Sequence, residues 1–142
     1  MSLFLMVIMK KITNAVRLSL LPMTISLLIL ILFRFVFLLG YVPTASMEPA
    51  LKTGSLLLGV RVWGDIQKGD IIVFQHNKEY LVKRVEAVEG DLIESNGENL
   101  VVPEGGFYVL GDNGQCSYDS RYWEYPFVMN DDIVAKVILP TR

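Results

Sequence analysis

Residues 18–41 read LSLLPMTISLLILILFRFVFLLGY, and the run Pro43-Thr44-Ala45-Ser46-Met47-Glu48-Pro49 follows almost at once. Leu, Ile, Val, Phe and Met dominate the first stretch, and Arg34 is its only charge. At about 1.5 Å per residue it makes roughly 36 Å of helix, enough to cross a hydrocarbon core of about 30 Å with some tilt. The reading is one transmembrane helix over 18–41, a segment 1–17 before it and a folded domain over 42–142 beyond it. Arg34 lies near the end of the stretch, where a long side chain snorkels to the interface. It thereby avoids the roughly 2.5–3.5 kcal/mol cost of a charge at mid-bilayer. Tyr41 suits the same interface.

Charge divides by segment. Residues 1–41 carry Lys10, Lys11, Arg17 and Arg34 with no acid, while residues 42–142 hold the other basic residues and all 15 acids. The positive-inside rule keeps Lys10, Lys11 and Arg17 in the cytoplasm and puts residues after Gly40 outside it. An acidic domain has no electrostatic footprint for nucleic acid. A cleaved secretory signal is the competing reading, but its apolar core would exceed the usual length of about 7–15 residues. A cleavage site ending at Ala45 would also put Pro43 where a small side chain is wanted. A retained anchor is therefore expected. The apolar run 1–9 before Lys10-Lys11 is too short to span, and translation beginning at Met9 would remove most of it. Cys116 is the only cysteine, so no intrachain disulfide forms.

Beyond the anchor the chain reads as short strands and turns, an all-β domain of small antiparallel or mixed sheets. Ser55–Val62 is a strand candidate after the Lys52-Thr53-Gly54 turn. Lys68-Gly69-Asp70 feeds Ile71–Gln75, whose four consecutive apolar residues predict a strand buried on both faces. Tyr80–Glu89 follows, then Asp91–Glu94 and Leu100–Val102 around an Asn96-Gly97 hairpin signal. Phe107–Leu110 and Asp132–Leu139 are further strands, separated by a polar loop from Gly111 to Ser120.

A serine just outside an anchor is placed to attack peptides that are themselves tethered in the lipid, but its hydroxyl is a poor nucleophile until something takes its proton. The one histidine, His76, lies in a polar connection and reads as a solvated loop residue. Lysine is the other known base for such serines. With strand alternation Leu81, Lys83, Val85 and Ala87 share a face, so the neighbours of Lys83 there are apolar. An ordinary lysine, pKa about 10.4, needs roughly 4–5 kcal/mol to be neutral at pH 7, an amount that full burial can supply. Pairing with Glu79 or Glu86 is the plainer alternative.

Several runs together resemble the bacterial type I signal peptidases, membrane-anchored Ser/Lys endopeptidases of the S26 class. Ser46-Met47-Glu48-Pro49-Ala50-Leu51 is similar to the family's nucleophile box, and Lys68-Gly69-Asp70-Ile71-Ile72-Val73-Phe74 to its second box. Val82-Lys83-Arg84-Val85 with Glu89-Gly90-Asp91 resembles the box of the lysine base. Gly111-Asp112-Asn113 with Ser117-Tyr118-Asp119-Ser120-Arg121-Tyr122-Trp123 resembles the last. The boxes stand in the family's order.

The resemblance implies Ser46 as nucleophile and Lys83 as general base. It implies an oxyanion hole from the Ser46 amide and the Thr44 hydroxyl, and Ser117 as the residue that orients the lysine. Asp119 and Arg121 would form a supporting ion pair, and Asp112 and Asn113 either a simple turn or a scaffold for the site. Met47, Leu51 and Trp63 would contact membrane or line the pocket. No metal or other cofactor is implied. The implied partners are precursor proteins bearing signal peptides, cut after small residues at −1 and −3, together with the lipid bilayer; the implied location is the bacterial cytoplasmic membrane.

The chain departs from the family pattern at Gly114-Gln115-Cys116, at Ala50 and at Glu124, and the segment from Asp91 to Phe107 is too short for a large accessory domain. The altered loop keeps a catalytically silent, membrane-tethered binding domain as an alternative. A peptidase dedicated to one substrate such as a pilin is another, and a self-cleaving Ser/Lys repressor a third.

Overall fold

The computed structural model describes residues 2–140 except 62, 63 and 96. It divides into two compact units, one ending at Phe35 and one beginning at Val36. The first is a single helix, α1 (Ser2–Phe35). Its segment Leu18–Phe35 is long and apolar enough to cross a membrane. Leu21, Met23, Leu30 and Phe35 are all more than half exposed, and a helix that is apolar all round suits lipid better than water.

The helix stops short of the Tyr41 limit that composition predicts. Residues Phe37–Tyr41 form a strand, β1, paired antiparallel with β2 (Leu56–Val60). Hydropathy cannot separate an apolar helix from an apolar strand; the partner does. Residues 2–17, read as a segment before the span, are part of the same helix.

The remaining strands are β3 (Ile71–His76), β4 (Glu79–Val88), β5 (Leu92–Ser95), β6 (Glu98–Val101), β7 (Gly106–Leu110), β8 (Phe127–Met129) and β9 (Ile133–Leu139). With β1 and β2, five of these form one seven-stranded sheet in the order β1-β2-β9-β3-β4-β7-β8, and β5-β6 make a separate ribbon. Every pairing is antiparallel. The domain is all-β behind one apolar helix, as the sequence predicts, with β1 and β8 as strands it does not reveal. Trp63, the last residue of the expected strand 55–62 and Asn96 of the hairpin signal lie outside the described residues. Ser95 and Glu98 nonetheless face each other across that hairpin.

The β3–β4 connection is a two-residue turn, Asn77 and Lys78, both at positive φ (49° and 69°). That is the mirror-image turn whose twist matches the strands it joins. β3 is the keel of the domain. Ile71 and Val73 join one core with Met47, Leu51, Leu57 and Val137. Ile72 and Phe74 point the other way, into a core with Val85, Val109, Trp123 and Val128. Period-two alternation thus explains the unbroken apolar run, because both faces are covered. Phe74 has no exposed surface, so Phe74→Ala is expected to cost about 3–5 kcal/mol. Leu92→Ala, at a side chain 71% exposed, should stay within about 0.5 kcal/mol. Denaturant titration of the two variants in detergent checks the contrast.

Candidate active site

Ser46 sits on a single 3-10 turn, Ala45–Met47, between β1 and β2. The turn is held from several sides. Met47 and Leu51 are buried in the core rather than free to contact a membrane, and Leu51 N–H donates to the Met47 carbonyl at 2.8 Å. Glu48 accepts from the Thr53 amide and hydroxyl at 3.0 and 2.8 Å, closing the following loop.

Lys83 comes from the middle of β4, on the buried face that its alternation predicts. It is 3% exposed, and its Nζ donates to Ser46 Oγ at 2.8 Å. Thr44 Oγ1 lies 3.3 Å from the same Oγ. Residues 37 positions apart in the chain therefore meet, and neither Glu79 nor Glu86 forms an ion pair with the amine. His76 stacks on Trp123 with ring centroids 4.1 Å apart; it is a packing residue and makes no hydrogen bond to Ser46. Burial lowers the Lys83 pKa, and the negative charge of Asp119 offsets part of that. An amine with a depressed pKa in hydrogen-bond contact with a serine hydroxyl is equipped to take its proton.

Ser117 is placed differently from the lysine-orienting position. Its hydroxyl donates to Asp119 Oδ2 at 2.6 Å, and it makes no hydrogen bond to Lys83. The stronger acceptor wins, since a carboxylate binds a hydroxyl better than an amine does. Asp119 is fully buried and also accepts from the Gly111 amide at 2.9 Å and from Arg121 Nε at 2.8 Å. Burial pushes its pKa up, but the bonds from Arg121, Gly111 and Ser117 outweigh that and hold it below the ordinary value. Asp119 and Arg121 are thus the ion pair that the resemblance implies.

Asp112 and Asn113 are scaffold rather than a bare turn. The Asp112 carboxylate grips Arg84 through two bonds, 2.8 Å from Nε and 2.7 Å from a terminal nitrogen. Asn113 N–H donates to the Ser46 carbonyl at 3.0 Å. Sequence reasoning passed over Arg84 and Gly111. Arg84 fastens the strand of Lys83 to this loop, and a charged residue beside a buried lysine was the available signal. A Cβ on Gly111 would collide with the Ser117 side chain and come within 2.6 Å of the Ser46 carbonyl oxygen, so only glycine lets the loop approach the serine this closely. The altered positions Gly114, Gln115 and Cys116 are all exposed, whereas Gly111, Ser117, Asp119 and Ser120 are buried.

The serine and the amine open into a groove of about 540 Å³, lined by β1, Thr44, the first half of β4 and Arg61. Among the described residues no cluster of His, Cys, Asp and Glu could hold a metal ion.

A buried amine and a serine hydroxyl at the head of an apolar groove, on an all-β domain behind one apolar helix, define a class of hydrolase. The family described as signal peptidase, peptidase S26, matches residues 15–102 and 96–141. The chain belongs to that family. Signal peptidase I of Leptolyngbya laminosa is 29% identical over 135 residues, which cover 70% of this chain and 66% of that protein. Signal peptidase IB of Staphylococcus aureus is 29% identical over 138 residues, 65% of this chain and 71% of that protein.

Two outcomes test this geometry. Below its folded pKa the buried Lys83 must carry its charge in a dry site, so the residue opposes folding there and the penalty fades as pH rises through that pKa. Lys83→Met is therefore expected to raise the thermal unfolding midpoint at neutral pH by a few degrees, with the gain shrinking at alkaline pH. Gly111→Ala is expected to lower the midpoint, because the Ser46 turn and the 111–117 loop can no longer close on each other.

Proposed function

We propose that the protein is a membrane-bound serine endopeptidase that removes N-terminal signal peptides from exported precursors with a Ser46/Lys83 dyad. The observation that carries this is the 2.8 Å bond between a buried Lys83 amine and Ser46 Oγ, in a member of the signal peptidase family. Neutral Lys83 takes the Ser46 proton as Oγ attacks the scissile carbonyl, and returns it to the leaving amine. Water activated by the same amine then hydrolyses the acyl-enzyme. The Thr44 hydroxyl and the Ser46 amide stabilise the oxyanion. Ser117 acts through Asp119, and Asp119 acts on the lysine through its charge.

The substrate enters the groove as an added strand, with small side chains at −1 and −3 against its apolar walls. Cleavage follows those small residues. α1 anchors the protein in the cytoplasmic membrane with residues 1–17 inside and the β domain outside. Enzyme and precursor then share one plane, which raises their effective concentration without any new contact. The silent binding domain is the weaker reading, because Gly114, Gln115, Cys116 and Glu124 are exposed, Ala50 only packs at the edge of the core, and the serine–amine contact is in place.

Protein in detergent or liposomes, offered a precursor with an Ala-x-Ala site, is expected to cleave it once. Ser46→Ala and Lys83→Ala should each lose roughly 1000-fold or more in kcat; a variant as active as the parent would overturn the dyad. The rate should rise with pH as one group loses its proton below about 10.4, the ordinary lysine value. A profile still climbing beyond that point would exclude a desolvated Lys83 as the base.

A further inference from the structure

β1 is the end strand of the sheet and, among the described residues, pairs only with β2. Hydrogen bonds at its two ends define which backbone groups face outward. Arg61 N–H donates to the Val36 carbonyl at 2.7 Å, and Val42 N–H donates to the Ser55 carbonyl at 3.0 Å. Bonded residues alternate in an antiparallel ladder, so positions 36, 38, 40 and 42 address β2. Phe37, Leu39 and Tyr41 address the open side.

β4 supplies the facing wall of the groove. Val85 N–H donates to the Asp70 carbonyl at 2.8 Å, so by the same alternation residues 79, 81 and 83 address β3. β7 pairs with β4 only from Arg84 onward. The backbone groups of Tyr80 and Val82 therefore face the groove with no strand across from them.

The outer ladder of β1 is not open along its whole length. Arg61 follows the end of β2, yet its side chain reaches the far edge of β1, where Nε donates to the Phe37 carbonyl at 3.2 Å. At the other end Pro43 has no N–H to give. The geometry points to Arg61 as the residue that sets the upstream limit of the substrate strand, leaving Leu39 and Tyr41 as the β1 residues that pair with it. This rests on the peptidase reading above, with the groove holding the residues before the scissile bond. A neutral substrate amide cannot displace the guanidinium cheaply, because a charge-assisted bond is roughly twice as strong as a neutral one. From position 39 to 43, at about 3.3 Å per residue, the open edge measures about 13 Å, so the paired stretch is about five residues. Arg61 is a specificity-determining residue here: it touches the strand edge and not the reacting atoms.

A ladder of synthetic peptides tests this, sharing one Ala-x-Ala site and lengthened residue by residue upstream. In the parent, kcat/KM is expected to reach a plateau once the positions opposite Leu39 are filled. Arg61→Met keeps the aliphatic stem and removes the guanidinium from the Phe37 carbonyl, so its plateau should come about two residues later. The ratio of the longest peptide to the parent's plateau-length peptide should then rise about two- to tenfold, the worth of one hydrogen bond. Taking the ratio within each protein cancels any loss common to all peptides. In the parent alone, N-methylation of successive substrate amides should cost activity up to the plateau length and nothing beyond it. Identical plateaus in parent and variant, or a cost from N-methylation beyond the plateau, would overturn the role of Arg61. A parent that cleaves no peptide of any length would instead overturn the peptidase reading.

Discussion

Asp119 is a carboxylate with no exposed surface, and nearly everything about the site depends on its staying charged there. An ion taken out of water costs several kcal/mol unless its lone pairs are filled. Arg121, the Gly111 amide and the Ser117 hydroxyl fill them. In doing so they fold the 111–121 loop into one conformation. That loop carries Gly111 and Asn113 against the Ser46 carbonyl, and Asp112 against the strand of the lysine. A network of this kind is all or nothing: fully satisfied it rigidifies, and missing one partner it leaves a buried charge exposed to the full penalty.

Two opposing effects meet at Lys83. Desolvation drives its proton off, and the buried charge of Asp119 holds the proton on. Desolvation is the larger, so the amine sits below the ordinary lysine range without becoming inert. Without the carboxylate the pKa of the amine would fall further, and without burial nothing would hold it below the ordinary lysine value. The apolar face of β4 and the Asp119 network therefore set the poise of the amine together.

The fold was legible where local pattern and final environment agree. Four apolar residues at Ile71–Phe74 predict a strand covered on both faces, and β3 is that strand. Ser46 and Lys83 each admit a plain structural role in the sequence, as a turn residue and as an ion-pair partner, and only the ordered boxes around them single them out. The end of the anchor was not legible. Phe37–Tyr41 is as apolar as the helix before it, and only pairing with Leu56–Val60 makes it a strand. Arg61 is equally silent in the sequence, since its role depends on which edge of β1 its side chain reaches. The resemblance assigns Ser117 to the lysine, but its hydroxyl bonds the carboxylate of Asp119, a choice of partner that no linear pattern displays.

Composition and order by themselves determined an apolar helix followed by an all-β domain, because burial periodicity and turn residues are local properties of the chain. They also mark Ser46 and Lys83 as candidates for the chemistry, through the order of the boxes in which they stand. Tertiary structure alone decided that the last long strand, β9, lies in the middle of the sheet between β2 and β3. It also brought Ser46 and Lys83 to 2.8 Å and left the edges of β1 and β4 open around one groove. The physical reason is the same in each case. Hydrogen-bond partners and desolvation depend on atoms far away in the chain, and these set both the reach of a strand and the charge of an amine.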